Sequence, residues 1–189
     1  MELAIELLQA QIAAAEGQGG YVLALLGALC LPDIAGAMGS DGGRAAKDKY
    51  IGWYDKWVEP LPAEDVRRLF EDLDNPNVPT DLPHFVSGAD CWAFRCVMLH
   101  QGRTDHDNLS YDRIMFLEPG TRDNGIHFAD VGGPLLINLA TFCGHILEGT
   151  RRWRLARAGT ESYERNRAAS LRRYPEVFGR LRFGAPIIT

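Results

Sequence analysis

Near the N-terminus lies an almost uninterrupted apolar stretch, residues 21–38, which reads YVLALLGALCLPDIAGAM. Wound as a helix, it is apolar on nearly every side, and such a helix packs at the centre of a protein. Pro32 has no backbone N–H, so we expect the helix to break or kink there. Its unbroken apolar run, residues 21–31, is shorter than the about 20 apolar residues that span a bilayer. It therefore predicts a central, buried helix and no membrane span.

Working outward, the spacing of apolar residues predicts further helices on both sides of this stretch. They cover residues 1–16, 44–58, 63–73, 88–101, 133–157 and 160–173. The helix over 44–58 carries an aromatic stripe, Tyr50, Trp53, Tyr54 and Trp57, at intervals of three and four. Residues at these intervals share one helix face, so we expect the stripe to lie in the core.

Two short strands are predicted after the helix over 88–101, over residues 113–117 and 125–131. The turn-forming pairs Pro119-Gly120 and Asn124-Gly125 lie between them, which favours a β-hairpin. Residues 183–189 read as extended. The predicted fold class is mainly α, a helical bundle with a small β-hairpin insertion at about 112–131. Residues 1–158 form the bundle domain, and 159–189 form an Arg-rich C-terminal helix and tail.

Composition restricts the function classes. Apolar residues make up 46% and charged residues 24% of the 189 positions, which is ordinary for a globular protein. The first residues carry acids rather than a basic leader, so no secretory signal is expected. The four cysteines form no CxxC pair and lie in apolar stretches, which favours reduced, buried thiols. These features indicate a cytoplasmic protein with no membrane partner.

Charge is distributed unevenly along the chain. Residues 151–183 carry ten Arg against three Glu, a local charge of +7, although the whole chain carries −5. Arginines beside aromatic residues are typical of surfaces that bind phosphate-rich partners. A solvated helix face beside an acidic surface is the alternative. The predicted RNA-binding residues are Arg103, Arg151, Arg152 and Arg154. A wider surface adds Arg157, Arg165 and Arg167, and the rings of Trp153 and Tyr163 are expected to stack on RNA bases.

One segment is chemically unusual, residues 91–102, which read CWAFRCVMLHQG. Arg95 is a guanidinium in an apolar helix and therefore needs a partner. His100 lies in the predicted last turn, two residues before the helix stop at Gly102. Five residues along a helix correspond to about 500° of rotation, or about 140° after one full turn. Convergence of the two side chains then requires either that His100 leaves the helical path or that two copies of the helix meet at a two-fold axis.

This Arg-x4-His pattern at a helix end, in a helical protein of this size, resembles the HEPN superfamily (higher eukaryotes and prokaryotes nucleotide-binding). The family motif is an arginine, four to six residues, then a histidine, matched here by Arg95 and His100. The resemblance implies a four- or five-helix bundle, usually a homodimer. It also implies RNA cleavage without a metal or other cofactor, often in toxin–antitoxin or phage-defence systems, where an antitoxin or defence-complex protein is a partner.

The chemistry implied by the resemblance is attack of the RNA 2′-OH on the adjacent phosphorus. His100 would take or give a proton, and Arg95 would hold the phosphate oxygens. Two residues support this pair. Cys96 directly follows Arg95, where HEPN proteins commonly carry a polar residue, so this chain departs from the family pattern at that position. Asp90 either orients Arg95 or stabilises the start of its helix, behind the cap residue Ser87, and the second role is favoured.

Other interpretations stay open. Arg95 can instead be a structural ion-pair residue, with His100 interacting with the dipole of its own helix, or the fold can be HEPN-like without activity. The alternative function is then a non-catalytic helical module that binds a protein or a nucleotide. Residues 104–108, TDHDN, are read as a solvated loop rather than a metal site, because a second histidine at metal-ligand spacing is missing. His84, His127 and His145 are isolated, and His145 is expected to pack inside.

Overall fold

The structure is a computed structural model that describes residues 2–74, 77, 86–120, 127–174, 177–178, 181–182 and 187–188. Its helices are α1 (Ala4–Gly17), α2 (Tyr21–Met38), α3 (Lys47–Trp57), α4 (Leu61–Asp72), α5 (Gly88–Gln101), α6 (Leu139–Arg157) and α7 (Glu161–Ala168). Its strands are β1 (Glu2–Leu3), β2 (Ile114–Leu117), β3 (Ala129–Asp130), β4 (Leu135–Asn138), β5 (Arg172–Tyr174), β6 (Val177–Phe178), β7 (Leu181–Arg182) and β8 (Ile187–Ile188). The mainly α fold class with a small β insertion is confirmed.

Helix α2 is the centre of the bundle, as predicted. It packs against α1, α3, α5, α6 and α7, and its Ala24, Ala28, Leu29 and Leu31 are inaccessible to solvent. By length and composition alone α2 would also qualify as a membrane span, with a mean hydropathy of 1.8. Packing on several sides is what the core helix of a bundle shows. Of the break or kink expected at Pro32, the break does not occur, because α2 continues through Pro32 to Met38 without the backbone hydrogen bond that a Pro32 N–H would have made.

Helix α3 places its aromatic stripe in the core. Tyr50, Trp53 and Tyr54 are buried, and Trp57 is half-buried against the same cluster, so the prediction for the stripe is confirmed. The Tyr50 ring meets the Trp92 ring of α5 edge-on, with centroids 5.1 Å apart. The stripe therefore fixes α3 between α2 and α5, the two helices that carry the candidate site.

The predicted hairpin is instead part of a three-stranded sheet in the order β2-β4-β3. Strand β2 pairs with β4 in parallel, and β3 pairs with β4 antiparallel, so the two predicted strands do not pair with each other. The turn pair Asn124-Gly125 lies outside the described residues. The strand missed by the prediction is β4, because a short apolar run reads equally well as helix or strand.

Helix α6 accordingly begins later than predicted, at Leu139 instead of near residue 133. Asn138, the last residue of β4, is its cap, and the Asn138 side chain accepts a hydrogen bond from the Thr141 backbone N–H at 3.0 Å. The strand and the helix thus meet without a loop. This junction places the first turns of α6 against both the small sheet and α4.

The C-terminal region joins the bundle. Helix α7 ends at Ala168, before the predicted limit of residue 173, and residues 172–174 form β5 between β1 and β8. The Asn166 amide donates to the carbonyls of Met38 and Ser40 at 3.0 and 2.6 Å, which ties α7 to the end of α2. Of the predicted extended segment 183–189, Ile187 and Ile188 are a strand, and the rest lies outside the described residues.

Candidate functional site at the end of helix α5

The start of α5 is held by a capping box. The Asp90 backbone N–H donates to Ser87 Oγ at 3.1 Å, and Asp90 Oδ2 accepts from the Ser87 backbone N–H at 3.2 Å. Asp90 Oδ1 accepts a further bond from the Ser110 backbone N–H at 2.8 Å. Burial alone would raise the pKa of Asp90, but the hydrogen bonds from Ser87 and Ser110 outweigh it and lower that pKa. Both carboxylate oxygens are used at the helix start, so the structure gives Asp90 the capping role.

The end of α5 is set by Gly102. This residue has φ 63° and ψ 26°, the left-handed conformation that glycine adopts without steric cost. The N–H of Gly102 donates to Met98 and the N–H of Arg103 donates to Val97, which closes the last turn. His100 lies in that turn and is exposed. The cap therefore fixes where the backbone presents the imidazole.

Arg95 and His100 converge within one chain. Arg95 Nη1 lies 3.4 Å from His100 Nε2, and the other terminal nitrogen, Nη2, lies 2.6 Å from Asp33 Oδ2 of α2. The guanidinium also lies over the Trp92 ring, 5.2 Å from its centroid. Neither a break in the helix nor a second copy of it is needed for this contact. The reason is the length of the arginine side chain, which spans the rotation between the two positions.

Asp33 is the partner that Arg95 requires. The Asp33 and Arg95 side chains retain only 14% and 19% of their exposure, so both charges are largely removed from water. Burial raises the pKa of Asp33, and the neighbouring Arg95 only partly counteracts that effect. Burial lowers the pKa of Arg95, but the Asp33 carboxylate and, to a smaller extent, Cys96 together raise it by more, so the guanidinium stays charged. Asp33 was not among the predicted site residues, although a lone acid after Pro32 in an apolar helix was a usable signal.

Two half-buried thiols flank the guanidinium. Cys96, the neighbour of Arg95 in the chain, raises the pKa of the guanidinium. Burial raises the pKa of Cys30 on α2, and the positive charge of Arg95 opposes that rise. All four cysteines are free, as predicted, but only Cys91 and Cys143 are fully buried. Burial raises the pKa of Cys91 to about 12, so that thiol is inert, whereas Cys30 and Cys96 lie beside the candidate site.

The arginines predicted to bind RNA all lie in ion pairs. Arg151 donates to Glu148 at 2.7 Å, and Arg152 donates to both Glu64 and Glu148 at 2.8 Å. The other two pairs are Arg103 with Asp105 and Arg154 with Glu6. Among the wider set, Arg167 pairs with Glu164 and Arg165 with Glu161. Five of the ten arginines of residues 151–183 are thus matched by acids in space, namely Arg151, Arg152, Arg154, Arg165 and Arg167.

The two aromatic residues expected to stack on bases are in the core. Trp153 and Tyr163 are 2% and 4% exposed, and their rings pack edge-on with centroids 5.5 Å apart. That expectation is wrong, because residues of α6 and α7 that look exposed in the sequence face α2 and α3.

The loop around His106 carries no metal cluster within the described residues. His106 Nδ1 accepts a hydrogen bond from the Asn108 backbone N–H at 2.9 Å, which is a local turn contact. His84 lies outside the described residues.

Sequence reasoning missed a second histidine cluster, between α4, the small sheet and α6. His145 Nε2 lies 2.8 Å from Asp65 Oδ2, and the His127 ring is 5.5 Å from the His145 ring. His127 Nδ1 accepts from the Asn138 backbone N–H, so its proton is on Nε2. Burial and the nearby His145 lower the pKa of His127 to about 4. His145 is packed inside, as predicted, but its partner lies 80 residues away in the chain and gave no sequence signal.

Comparison with known proteins adds nothing to this geometry. No family model, no curated protein and no solved structure matches the chain.

Proposed function

We propose that this protein is a metal-independent endoribonuclease of the HEPN type, with Arg95 and His100 as its catalytic pair. The observation that carries the proposal is the 3.4 Å contact between Arg95 Nη1 and His100 Nε2 at the exposed end of α5. A cation and an imidazole so close together can reach the same phosphodiester. The Arg-x4-His resemblance supplies the reaction class, since the contact alone is compatible with other acid–base chemistry.

Arg95 acts on the phosphate. Asp33 holds Nη2 and Trp92 supports the guanidinium plane, so the side chain is ordered before RNA arrives. Nη1 keeps one N–H beyond its contact with His100, and that N–H is available to a non-bridging phosphate oxygen. A pre-oriented donor of this kind opposes the negative charge that grows in the transition state.

His100 acts on protons. Arg95 has no lone pair to offer, so in their contact the neutral imidazole accepts at Nε2 and carries its own proton on Nδ1. In cleavage, a base removes the 2′-OH proton as the oxygen attacks phosphorus, and an acid protonates the leaving 5′ oxygen. One histidine per chain supplies one of these roles at a time, and to act as the base its Nε2 exchanges the Arg95 contact for the 2′-OH proton. A homodimer that brings two copies of His100 to one phosphate would supply both, and we propose that state.

The proposed setting is cytoplasmic, in phage defence or a toxin–antitoxin pair, with RNA as substrate and an antitoxin or defence-complex protein as partner. Support for the setting is the family resemblance alone. RNA contacts by Arg103, Arg151, Arg152 and Arg154 are also part of the proposal, although each must exchange or share a carboxylate to bind phosphate. Arg103 is the nearest to the α5 end along the chain, since it directly follows the Gly102 cap.

The test is to incubate the purified protein with total RNA in EDTA, beside His100→Ala and His106→Ala. Wild type and His106→Ala are expected to produce 2′,3′-cyclic phosphate ends, and His100→Ala is expected to produce none. His106→Ala is the matched control, because it removes an imidazole from a nearby loop without touching α5. Intact RNA over a wide range of wild-type concentration, or equal activity in all three proteins, would overturn the proposal.

A second candidate function is a non-catalytic helical module that binds a protein or nucleotide. It is favoured by the largely buried Arg95–Asp33 ion pair, which joins α5 to α2 and accounts for Arg95 without a catalytic role. This candidate predicts saturable RNA or protein binding with no cleavage products, and no change of binding in His100→Ala. The same RNA incubation therefore separates the two functions.

A further inference from the structure

Residues 127–130, here called the strap, lie at the edge of the small sheet and pack two rings, His127 and Phe128, against the rest of the protein. Ala129 and Asp130 form β3, which pairs with β4 over these two positions. A ladder this short contributes little by itself, since isolated pairs of strands are at best marginally stable. The strap therefore depends on the two rings to stay in place.

The backbone of the strap is strained at Phe128. This residue has φ 58°, in the left-handed region that a bulky aromatic residue rarely adopts. Phe128 is 7% exposed and belongs to the core cluster, so burial of the ring holds the backbone in that conformation. The closed strap thus carries a conformational cost that is released when the segment leaves its place.

His127 fastens the strap through a hydrogen bond that depends on its protonation state. Its Nδ1 accepts from the Asn138 backbone N–H at 3.2 Å, at the junction of β4 and α6. A neutral imidazole can accept at that nitrogen, whereas an imidazolium carries N–H groups on both nitrogens and can only donate. A proton on Nδ1 would set two donors against each other, and the fastening would be lost.

The surroundings of His127 do not accommodate a positive charge. Its Nε2 is buried without a partner among the described residues, as is Nδ1 of His145, and the two rings are 5.5 Å apart. His145 opposes a charge on His127, and Asp65 of α4, which favours one, is already bonded to His145 Nε2 at 2.8 Å. The other charged side chains of the pocket beside His145 are in ion pairs of their own, namely Arg68, Glu148 and Arg152.

A glycine turn after the strap supplies a hinge. Gly132 and Gly133 have φ 84° and 121°, conformations that glycine adopts without steric cost. Asp130 Oδ1 accepts from both of their N–H groups, at 2.9 and 3.1 Å, and the Val131 N–H donates to the Pro134 carbonyl at 3.0 Å. The turn therefore stays attached to β4 and can absorb a change of direction of the segment before it.

We propose that the strap is a pH-dependent latch: when His127 takes up a proton, its bond to Asn138 breaks and residues 127–130 move away on the glycine turn while the helical bundle stays folded. Opening brings the imidazolium into water and relieves the strain at Phe128. The open form uncovers the Asn138 end of α6 and the buried face of His145. The latch is independent of the proposed nuclease activity, since none of its residues belongs to the Arg95–His100 pair.

The direction of the pH effect follows from the two forms of the strap. Burial and the nearby His145 lower the pKa of His127 from 6.5 to about 4 in the closed form, so at neutral pH the ring is uncharged and the strap is closed. In the open form the ring is in water and its pKa returns toward 6.5. The open form binds the proton more tightly, so its population increases as the pH falls below 6.5 and levels off near 4.

The experiment is hydrogen exchange measured by mass spectrometry at pH 7 and pH 4.5, with rates corrected for the intrinsic effect of pH. Peptides over residues 127–138 report on the strap, and peptides over α2 report on the bundle. At pH 4.5 the corrected exchange of the strap is expected to rise at least about tenfold, while α2 stays protected. No rise in the strap, or an equal rise in α2, would overturn the proposal.

His127→Gln tests the proton itself. Glutamine keeps an acceptor for the Asn138 N–H and cannot take up the proton, so the rise in strap exchange at pH 4.5 should disappear. His106→Gln is the matched control, because it replaces an exposed histidine of a different loop and should leave the rise unchanged. A rise in His127→Gln equal to that of wild type contradicts the latch.

Gly132→Ala tests the hinge at neutral pH. Its Cβ would meet nothing within 4 Å, so the substitution strains the closed turn through φ alone and should increase strap exchange at pH 7. Gly159→Ala is the matched control, since Gly159 has φ 81°, equally open surroundings and a position between α6 and α7. Equal strap exchange in these two variants would also overturn the proposal.

Discussion

Two regions of this protein combine arginine, histidine and carboxylate, and they do so in different proportions. At the end of α5, Arg95 contacts one acid, Asp33, and one histidine, His100, which is exposed. At the α4–α6 interface, Arg152 contacts both Glu64 and Glu148, and His145 contacts Asp65. The first region thus has one carboxylate for one arginine and one histidine. In the second region the arginine and the histidine each contact at least one carboxylate.

The difference shows that the same residue types are paired to different extents, and we propose that the incompletely paired set at α5 is the reactive one. Hydrogen bonds from Arg151 and Arg152 lower the pKa of Glu148 to about 2, so the α6 network stays fully ionised at neutral pH. Groups held in this way cross-link helices and have little capacity left for a ligand. At α5, Arg95 keeps a terminal nitrogen beside an imidazole at the surface, which is the condition for acid–base chemistry.

The strongest test of this contrast compares two arginines. Arg95→Ala should reduce RNA cleavage by at least about 100-fold, because a pre-oriented donor to the transition state is lost. Arg152→Ala should reduce it far less, since that guanidinium already serves two glutamates. Initial rates measured on one RNA, with circular dichroism to verify folding, decide the matter. Equal losses in the two variants would remove the distinction between the regions.

A second test uses pH to probe the buried histidines. The folded-state pKa of His127 is about 4, below its ordinary value of 6.5. As pH falls below 6.5, His127 binds a proton in the unfolded chain but stays neutral in the folded chain until the pH approaches 4. Stability is therefore lost as pH falls from 6.5 to about 4, by about 2 kcal/mol once partial exposure is allowed for. Urea denaturation at pH 7 and pH 4.5 measures this loss.

His127→Gln is the variant for this pH test. It removes the titrating ring and keeps an acceptor for the Asn138 backbone N–H. The loss of stability between pH 7 and pH 4.5 should be smaller in this variant than in wild type. The same loss in both proteins would assign the pH dependence to other groups.

A third test asks how much the Asp33–Arg95 pair stabilises the fold. Asp33→Asn leaves a largely buried guanidinium without its counter-ion, and we expect a loss of about 1–2 kcal/mol in the free energy of unfolding. Asp105→Asn is the control, because it breaks an ion pair with Arg103 in which both side chains are about half exposed. That variant should leave the urea midpoint unchanged. Comparable midpoints for both variants would show that the α5 pair contributes no more than a surface pair.

The smallest expected effect belongs to Arg151. Its side chain is 58% exposed and pairs with Glu148 three residues earlier on the same helix. Arg151→Ala should leave the urea midpoint unchanged, because exposed pairs within one helix contribute little. Its affinity for a short RNA should fall by no more than roughly threefold at moderate salt. A larger loss of affinity would show that RNA displaces Glu148 and that the charge excess of the sequence is used after all.

Features governed by local rules were predictable from the sequence. The central helix α2, the aromatic face of α3, and the two ends of α5 follow from periodicity and from the capping residues Ser87 and Gly102. The Arg95–His100 pair was also found in this way, although its geometry was not. A rotation count treats side chains as short radial vectors, and arginine is long enough to reach across that angle.

Features that depend on distant residues were not predictable. Strand β4 pairs with β2 on one side and β3 on the other, and its Leu135 and Ile137 are buried in the core. No local pattern in the sequence reveals these distant partners. The ion pairs of Arg152 with Glu64 and of Arg154 with Glu6 join positions 88 and 148 residues apart. Counting charges over residues 151–183 alone therefore predicted free cations where the fold supplies a carboxylate from elsewhere in the chain. Asp33 joined the candidate site for the same reason, through a contact between α2 and α5.

The left-handed cap at Gly102 makes the candidate site sensitive to chirality. An L-alanine at this position would have to adopt a φ near 63°, which its Cβ disfavours, so the last turn carrying His100 would shift or fray. A D-alanine introduced by chemical ligation prefers that same region of φ and ψ and would keep the turn closed. The two enantiomers of alanine, identical in size and polarity, would thus have opposite effects on the imidazole two residues away.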